Sequence, residues 1–452
     1  MKKRYNKSLS GLLLAAGIAV SPVQAADSPL DPALLAKGAY LARAADCNAC
    51  HRGAAPGSAD YSGGLAIATP MGDIIATNIT PSMRSGIGHY SEADFKRAVT
   101  QGIRANGERL YPAMPYTAYQ GMSDADIHAL YVWFMHGVAP SDAQPAPTRL
   151  AFPWSVRSLL RLWNPLNATL PPIPDRANTP QLQRGYYLTE VLGHCSACHS
   201  PRNVMMGESM SQRYSGGTQG GWHAPNITAD PVSGIGAWND TELMQYLKTG
   251  NLPGKATAAG GMAEAIDHSL RYLTDDDLGA MVEYLRQIPA VRDSADTVPA
   301  WSHTPEPQVR AADNAGEALY QSACAACHRS NGEGAYQAVF PSLTANSTTG
   351  NPSPDNLIMV ILDGVQREGK FATATMPGFR DALNDEQIAA LTNYVAHRFG
   401  NPTVQVSASD VATQRDGGAR PWFITLLPWL SGLAGALIIV LMVRLARRRK
   451  GV

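Results

Sequence analysis

Cys47-Asn48-Ala49-Cys50-His51 returns as Cys195-Ser196-Ala197-Cys198-His199 and again as Cys324-Ala325-Ala326-Cys327-His328. These three stretches use all six cysteines of the chain. Cys-x-x-Cys-His is the pattern of c-type haem attachment. Two thiols on one helical turn can add across the two vinyl groups of one haem, and the adjacent His can give the iron its proximal nitrogen. Three disulfides would leave the His after every second Cys unexplained. A Cys-x-x-Cys redox site would account for one pair, not three. The reading is therefore three covalently attached haem c groups, held by Cys47, Cys50 and His51, by Cys195, Cys198 and His199, and by Cys324, Cys327 and His328.

The ends point to the far side of a membrane. Lys2, Lys3, Arg4 and Lys7 precede a short apolar run, and Val23-Gln24-Ala25 offers a small-residue cleavage site. Residues 1–25 read as a signal peptide. Residues 422–443 carry no charge and are long enough for one transmembrane helix. Trp422 and Trp429 suit its outer interface. The basic residues at 444–452 follow directly and place that tail in the cytoplasm, with the haem units on the periplasmic side. Nine of the 37 basic residues lie in these two terminal segments, leaving 28 against 37 acidic ones between them. An acidic body argues against nucleic acid as a partner.

The interior repeats. Asn78-Ile79-Thr80 and Asn226-Ile227-Thr228 each begin 27 residues after the motif His, and Gly86-Ile87-Gly88 and Gly234-Ile235-Gly236 each begin 35 after it. Their turn-forming residues mark loops, expected to wrap the haem edge. A helix is expected before each motif, over residues 33–45, 181–192 and 315–324. Each unit should close with an amphipathic helix behind an N-cap and an acidic turn: Ser123 before residues 127–135, Thr274 before 278–288, Asn384 before 388–399. Gly38, Gly185 and Gly316 would let the two helices cross closely. Tyr40, Tyr187 and Tyr320, with Tyr131, Tyr284 and Tyr394, read as core.

The distal ligands follow from spacing. Met114 and Met262 lie 63 residues after His51 and His199 respectively, and Met376 lies 48 after His328. Equal spacing selects Met262 over Met205, Met206, Met210 and Met244. His–Met pairs suit electron carriers. The iron ligands are thus read as His51 with Met114, His199 with Met262, and His328 with Met376. His89, His223 and His268 do not recur at matching spacing and read as surface or loop residues.

Boundaries follow: haem units at 26–139, 181–289 and 309–402, Pro-rich linkers at 140–180 and 290–308, and a third linker at 403–421. The long first linker carries Phe152-Pro153-Trp154 and Trp163-Asn164-Pro165, and is expected to pack on the surface. Asp416-Gly417-Gly418 reads as a flexible joint. No Gly-rich strand-to-helix fingerprint for flavin or nicotinamide is visible, so no organic-substrate site and no catalytic residue is expected.

With Thr77-Asn78-Ile79-Thr80-Pro81, Gly86-Ile87-Gly88, Tyr111-Pro112-Ala113-Met114-Pro115-Tyr116 and Gly261-Met262-Ala263-Glu264 in hand, the chain resembles the tri-haem cytochrome c subunit of membrane-bound bacterial dehydrogenases. That family serves alcohol, aldehyde, fructose, sorbitol and gluconate dehydrogenase complexes. The resemblance covers nearly the whole mature chain. It implies an all-α fold of three tandem class I cytochrome c-like domains plus one C-terminal transmembrane helix. It also implies electron transfer from a separate catalytic dehydrogenase subunit, of flavin or quinone-cofactor type, to membrane ubiquinone. The third unit departs from the pattern, having Phe340-Pro341-Ser342-Leu343 where the others have Asn-Ile-Thr. Two rival readings are a multi-haem peroxidase, which needs an open haem, and a cytochrome subunit of a terminal oxidase.

Overall fold

The computed structural model describes residues 30–168, 170–171, 179–308, 310–335, 339–367 and 375–449. The expected signal peptide and Lys450 of the basic tail lie outside the described residues.

The opening helices run Pro32–Ala44, Pro180–Tyr186 and Asn314–Ala323, and the closing helices Asp124–His136, Asp275–Leu285 and Asp385–Phe399. Ser123, Thr274 and Asn384 cap the closing helices, each accepting from the backbone N–H three residues on. Each opening helix packs across its closing helix at a glycine. A Cβ on Gly38 would sit 2.2 Å from the Ala129 carbonyl oxygen, one on Gly185 2.0 Å from that of Ala280, and one on Gly316 2.2 Å from that of Ala390. Only hydrogen fits there. Tyr284 and Tyr394 pack on the glycine, but in the first unit Trp133 takes that place. Tyr131 instead lies against Phe95 and donates to the Tyr90 carbonyl at 3.0 Å.

The fold is mostly helical but not wholly so. Among the described residues, three two-stranded antiparallel ribbons interrupt it: Ala66–Ile67 with Ile74–Ile75, Gly217–Gln219 with Trp222–Ala224, and Asn251–Leu252 with Ala256–Thr257. The helix expected over 181–192 also changes pitch. From Tyr187 to Leu192 it is a π-helix, a wider turn that carries one extra residue and buries Glu190 to 1 % exposure.

The described residues form two hydrophobic clusters. One runs without a break through the first two units; the other belongs to the third. The first two units therefore share one core, and the third closes its own. The first two are also tied by matched polar bonds. Tyr40 of the first unit donates to Asp277 at the head of the second closing helix, and Tyr187 of the second donates to Asp126 at the head of the first, at 2.6 Å. Arg184 and Lys37 bind the same two carboxylates from within their own units, each at 2.7 Å. Tyr40 and Tyr187 are thus interface residues, not core. Tyr320, four residues past its glycine instead of two, is the core residue: it is fully buried against Tyr394 and Phe399.

The described parts of the first and third linkers are structured. Beyond the first closing helix the chain binds back onto both units, and residues Leu160–Asn167 form a helix that the Pro-rich composition concealed. In the third linker Ala408–Arg415 is helical, with Val411 buried and Gln414 donating to Asp355 at 2.6 Å. Gly417 and Gly418 adopt positive φ and hydrogen-bond to Gln414 and Thr413. They form the cap of that helix, packed near Gly221, not a free joint. Trp422–Arg449 is one helix, long and apolar enough to cross a membrane, and nothing in its most apolar window is buried in the protein.

Candidate haem sites

Each Cys-x-x-Cys-His motif forms a short helical turn directly after its opening helix or π-segment. All six cysteines are free of disulfides. Burial, helped by the Asp46 carboxylate, pushes the Cys47 and Cys50 thiols up to about 12. Burial does the same to Cys195, and carries Cys324 to about 11. Such sulfurs stay neutral in apolar surroundings, which suits a thioether and not a reactive thiolate.

The three motif histidines are oriented alike. His51 Nδ1 lies 2.6 Å from the Thr77 carbonyl oxygen, His199 Nδ1 2.7 Å from that of Pro225, and His328 Nδ1 3.0 Å from that of Pro341. A carbonyl can only accept, so Nδ1 carries the proton and Nε2 keeps its lone pair free for iron. Burial, acting against the carbonyl bond, holds all three below the usual histidine range and keeps the rings neutral. In the first two units the accepting carbonyl belongs to the residue just before Asn-Ile-Thr. In the third it belongs to Pro341, so Phe340-Pro341-Ser342 performs the same service without that sequence.

The Asn and Thr have a second task. Asn78 Oδ1 accepts from the Thr80 N–H and hydroxyl at 2.9 and 2.7 Å, and its Nδ2 donates to the Ser141 carbonyl at 2.6 Å. Asn226 repeats this with Thr228 at 2.8 and 2.7 Å, donating to Val291 at 2.7 Å. The motif clasps the chain that leaves each closing helix. Gly86 and Gly234 pass close above it, where a Cβ would fall 2.1 and 2.2 Å from the carbonyl oxygens of Thr80 and Thr228.

Met114 and Met262 are half-buried against the shared core. Met114 precedes a short helix, whereas Met262 lies inside the first turn of the helix Gly260–His268. Met376 is half-buried, its backbone paired both ways with Val365 at 3.0 Å. The passed-over Met205 and Met210 are exposed. His89 is exposed and His268 half-buried at a helix end. His223 differs from the surface reading. It is half-buried in a ribbon, and its backbone N–H and carbonyl bond to the Asn356 side chain of the third unit at 2.9 and 2.8 Å.

Several residues around the motifs carried no sequence signal. Tyr119 of the first unit donates to the Ala45 carbonyl, two residues before Cys47, and its ring lies edge-on to His194, which precedes Cys195. Cys198 is near enough to Cys50 to help raise its pKa. Arg52, beside His51, pairs with Glu264 on the Met262 helix at 2.9 Å. Buried Glu190 accepts from Tyr284 at 2.6 Å and pairs with Arg213. The first two motifs therefore face one another. Tyr61 and Tyr214 are buried beside Cys47 and Cys195, and their hydroxyls have no protein partner among the described residues. Free donors, neutral sulfurs and an open Nε2 fit a haem c in these two units. The third unit supplies the Nε2 and the sulfurs.

The cytochrome c family profile matches residues 314–398. The fructose dehydrogenase cytochrome subunit of Gluconobacter japonicus is 41 % identical, over 99 % of each chain. This chain belongs to the cytochrome c subunits of bacterial membrane dehydrogenases. The gluconate 2-dehydrogenase cytochrome c subunit of Pantoea cypripedii is 38 % identical over 90 % of this chain and 95 % of its own. The quinone-type alcohol dehydrogenase cytochrome c subunit of Gluconacetobacter polyoxogenes is 37 % identical over 91 % and 90 %. As an electron-transfer cytochrome subunit, the chain carries covalent haem c and works with a catalytic dehydrogenase partner. The oxidase and peroxidase readings are not favoured.

Proposed function

We propose that this subunit carries three haem c groups and passes electrons from a periplasmic dehydrogenase to membrane ubiquinone. The partner would be a flavin- or quinone-cofactor enzyme acting on a sugar, sugar acid, alcohol or aldehyde; the names of the relatives cover the first three, as fructose, gluconate and alcohol. Bound haem c supplies a one-electron iron couple. The chain's residues do the rest. His51, His199 and His328 present Nε2, and the Thr77, Pro225 and Pro341 carbonyls hold each ring in place. Met114, Met262 and Met376 are the distal ligands. The units are residues 26–139, 181–289 and 309–402, and the span 422–443 leaves its basic tail in the cytoplasm. The observation that carries this reading is the threefold motif with the same Nδ1 bond each time.

The test is deletion of this chain with the catalytic subunit still expressed. Substrate oxidation with an artificial dye should survive, while substrate-driven quinone reduction and oxygen uptake collapse. Unchanged oxygen uptake on every candidate sugar, alcohol and aldehyde would refute the assignment. Haem analysis of the purified chain should return three haems per polypeptide.

A further inference from the structure

The linker helix presents its apolar face outward. Leu159, Leu162 and Leu166, on the turn Arg157–Leu159 and the helix Leu160–Asn167 that continues it, stand three and four residues apart on one face, and all are exposed, Leu162 to 70 %; Phe152 and Val156, in the turn and loop just before, are exposed as well. The opposite side is fastened by polar bonds. Tyr111 donates to the Trp154 carbonyl at 3.0 Å, Arg157 to that of Arg109 at 2.7 Å, and Tyr116 to Asn164 at 2.9 Å. Trp163 donates to the Met205 carbonyl at 2.7 Å, which sets exposed Val204 and Met205 beside the helix. A helix held in register by its polar side, while it and the turn before it leave five large apolar side chains in solvent, needs something to cover them.

We infer that this face lies on the surface of an anionic lipid bilayer, as a second membrane contact besides the C-terminal span. Two observations select that occupant. The first is charge. Residues 143–174 contain Arg149, Arg157 and Arg161 and no acidic residue, within a body that has 28 basic and 37 acidic residues. Arg149 and Arg161 are exposed, so two cations flank the apolar stripe where lipid phosphates would lie. Arginine on the rim and leucine on the face is a composition that suits a helix lying in the membrane interface.

The second is position. A continuous series of neighbours leads from the stripe to the head of the span. Leu150 lies 3.2 Å from where a Gly72 Cβ would be. In the same hairpin, the Ala68 carbonyl accepts from Gln219 at 3.5 Å. Gly221 in turn lies 3.0 Å from a Cβ built on Gly418, four residues before Trp422. The stripe is thus joined to the head of the membrane helix through packed neighbours. With the span at one end and the stripe at the other, the first two motifs are held over the bilayer at a fixed tilt instead of swinging on a single tether.

This inference rests on the proposed membrane anchor, and the experiment separates the two. The full haem-loaded chain carries Leu162→Cys labelled with an environment-sensitive fluorophore; the motif cysteines are already thioethers. It is reconstituted in vesicles of phosphatidylglycerol and phosphatidylcholine containing brominated lipid. Emission should fall about twofold against unbrominated vesicles, as for a residue at the acyl boundary, and less in vesicles of phosphatidylcholine alone. Adding Leu159→Glu and Leu166→Glu should abolish the quenching while the haem spectrum and flotation with vesicles persist. A label that stays unquenched in a chain that floats overturns the contact and leaves the anchor standing. A label shielded only when the catalytic subunit is added overturns it in favour of a protein-docking face. A chain that does not float overturns contact and anchor together.

Discussion

In the first two units a tyrosine stands two residues past the crossing glycine, Tyr40 after Gly38 and Tyr187 after Gly185; in the third, that position is Ala318. The two tyrosines reach out of their own units to Asp277 and Asp126, and the first two units share a single core. The third keeps its tyrosine, Tyr320, inside, and closes its own core. It meets the second unit mainly through polar contacts, with Trp222 of the second unit packed against its core. Arg367 is bound to Asp267 at 2.8 Å, Asn356 pairs with the His223 backbone, and the Ser347 N–H donates to the Lys255 carbonyl at 2.7 Å. One helical position thus separates a fused pair from a docked neighbour, although all three units use the same helix crossing and the same histidine bond.

The crossing glycines probe this most strongly. Gly185→Leu drives a side chain into the Ala280 carbonyl, and overpacking of that kind costs about 3 kcal/mol or more. Because the core is shared, haem content and the melting transition of both the first and second units should fall. Gly316→Leu should damage the third alone. Equal loss across all three haems in the Gly316 variant would refute the two-core division.

Next comes the docking pair. Asp267→Ala leaves the buried Arg367 guanidinium without its carboxylate, a loss of about 3–5 kcal/mol for a broken buried pair. The third unit should then come away while staying folded, read as faster proteolysis within residues 290–308 with its haem spectrum intact. Unchanged proteolysis would mean that the neutral contacts suffice.

Met262 separates the second unit from the others by spectrum instead of stability. Met262→Ala should turn one haem of three high-spin while all three remain covalently bound. Full retention of thioether-ligated iron would defeat the equal-spacing argument, and Met244, half-buried in the same core, would be the next candidate.

The cross-unit tyrosines give the smallest effects. Tyr40→Phe and Tyr187→Phe each remove one charge-assisted bond, worth about 1–2 kcal/mol, with Arg184 and Lys37 still in place. Burial alone would raise Asp126 and Asp277, but the Lys37 and Tyr187 bonds at one, and the Arg184 and Tyr40 bonds at the other, hold both below the ordinary carboxyl value. A depressed folded pKa gives stability that is complete above the unfolded value of about 4 and disappears as pH falls through the folded one. Acid titration of the joined pair should therefore show a loss beginning below about pH 4, and the double Phe variant should show a smaller one. Identical acid profiles would mean that these carboxylates do not couple the units.

Much of the site was open to reading before any coordinates. The motif fixes two sulfurs and a nitrogen through covalent spacing on one helical turn, and the capped closing helices follow from N-cap chemistry and an acidic first turn. The crossing glycines were also legible, since a helix interior tolerates glycine poorly unless something must come close. The distinction between Tyr40 and Tyr320 is written in the sequence too, as a spacing of two against four from the glycine. The helix Leu160–Asn167 was hidden by Pro165 and its Pro-rich surroundings, yet its apolar residues already recur at helical intervals.

What the sequence determined by itself was local: which atoms can bind haem, which turns start helices, which stretch can span a membrane. These depend on residues a few positions apart. The tertiary structure alone decided which carbonyl orients each histidine, that Arg367 reaches Asp267, that the π-turn buries Glu190, and that the first two motifs face one another across Tyr119 and His194. Those partners lie from 13 to 100 residues apart, and no local preference selects them. They form because packing the helix faces buries apolar surface, and the polar groups carried inward must then find whatever partner the fold sets beside them.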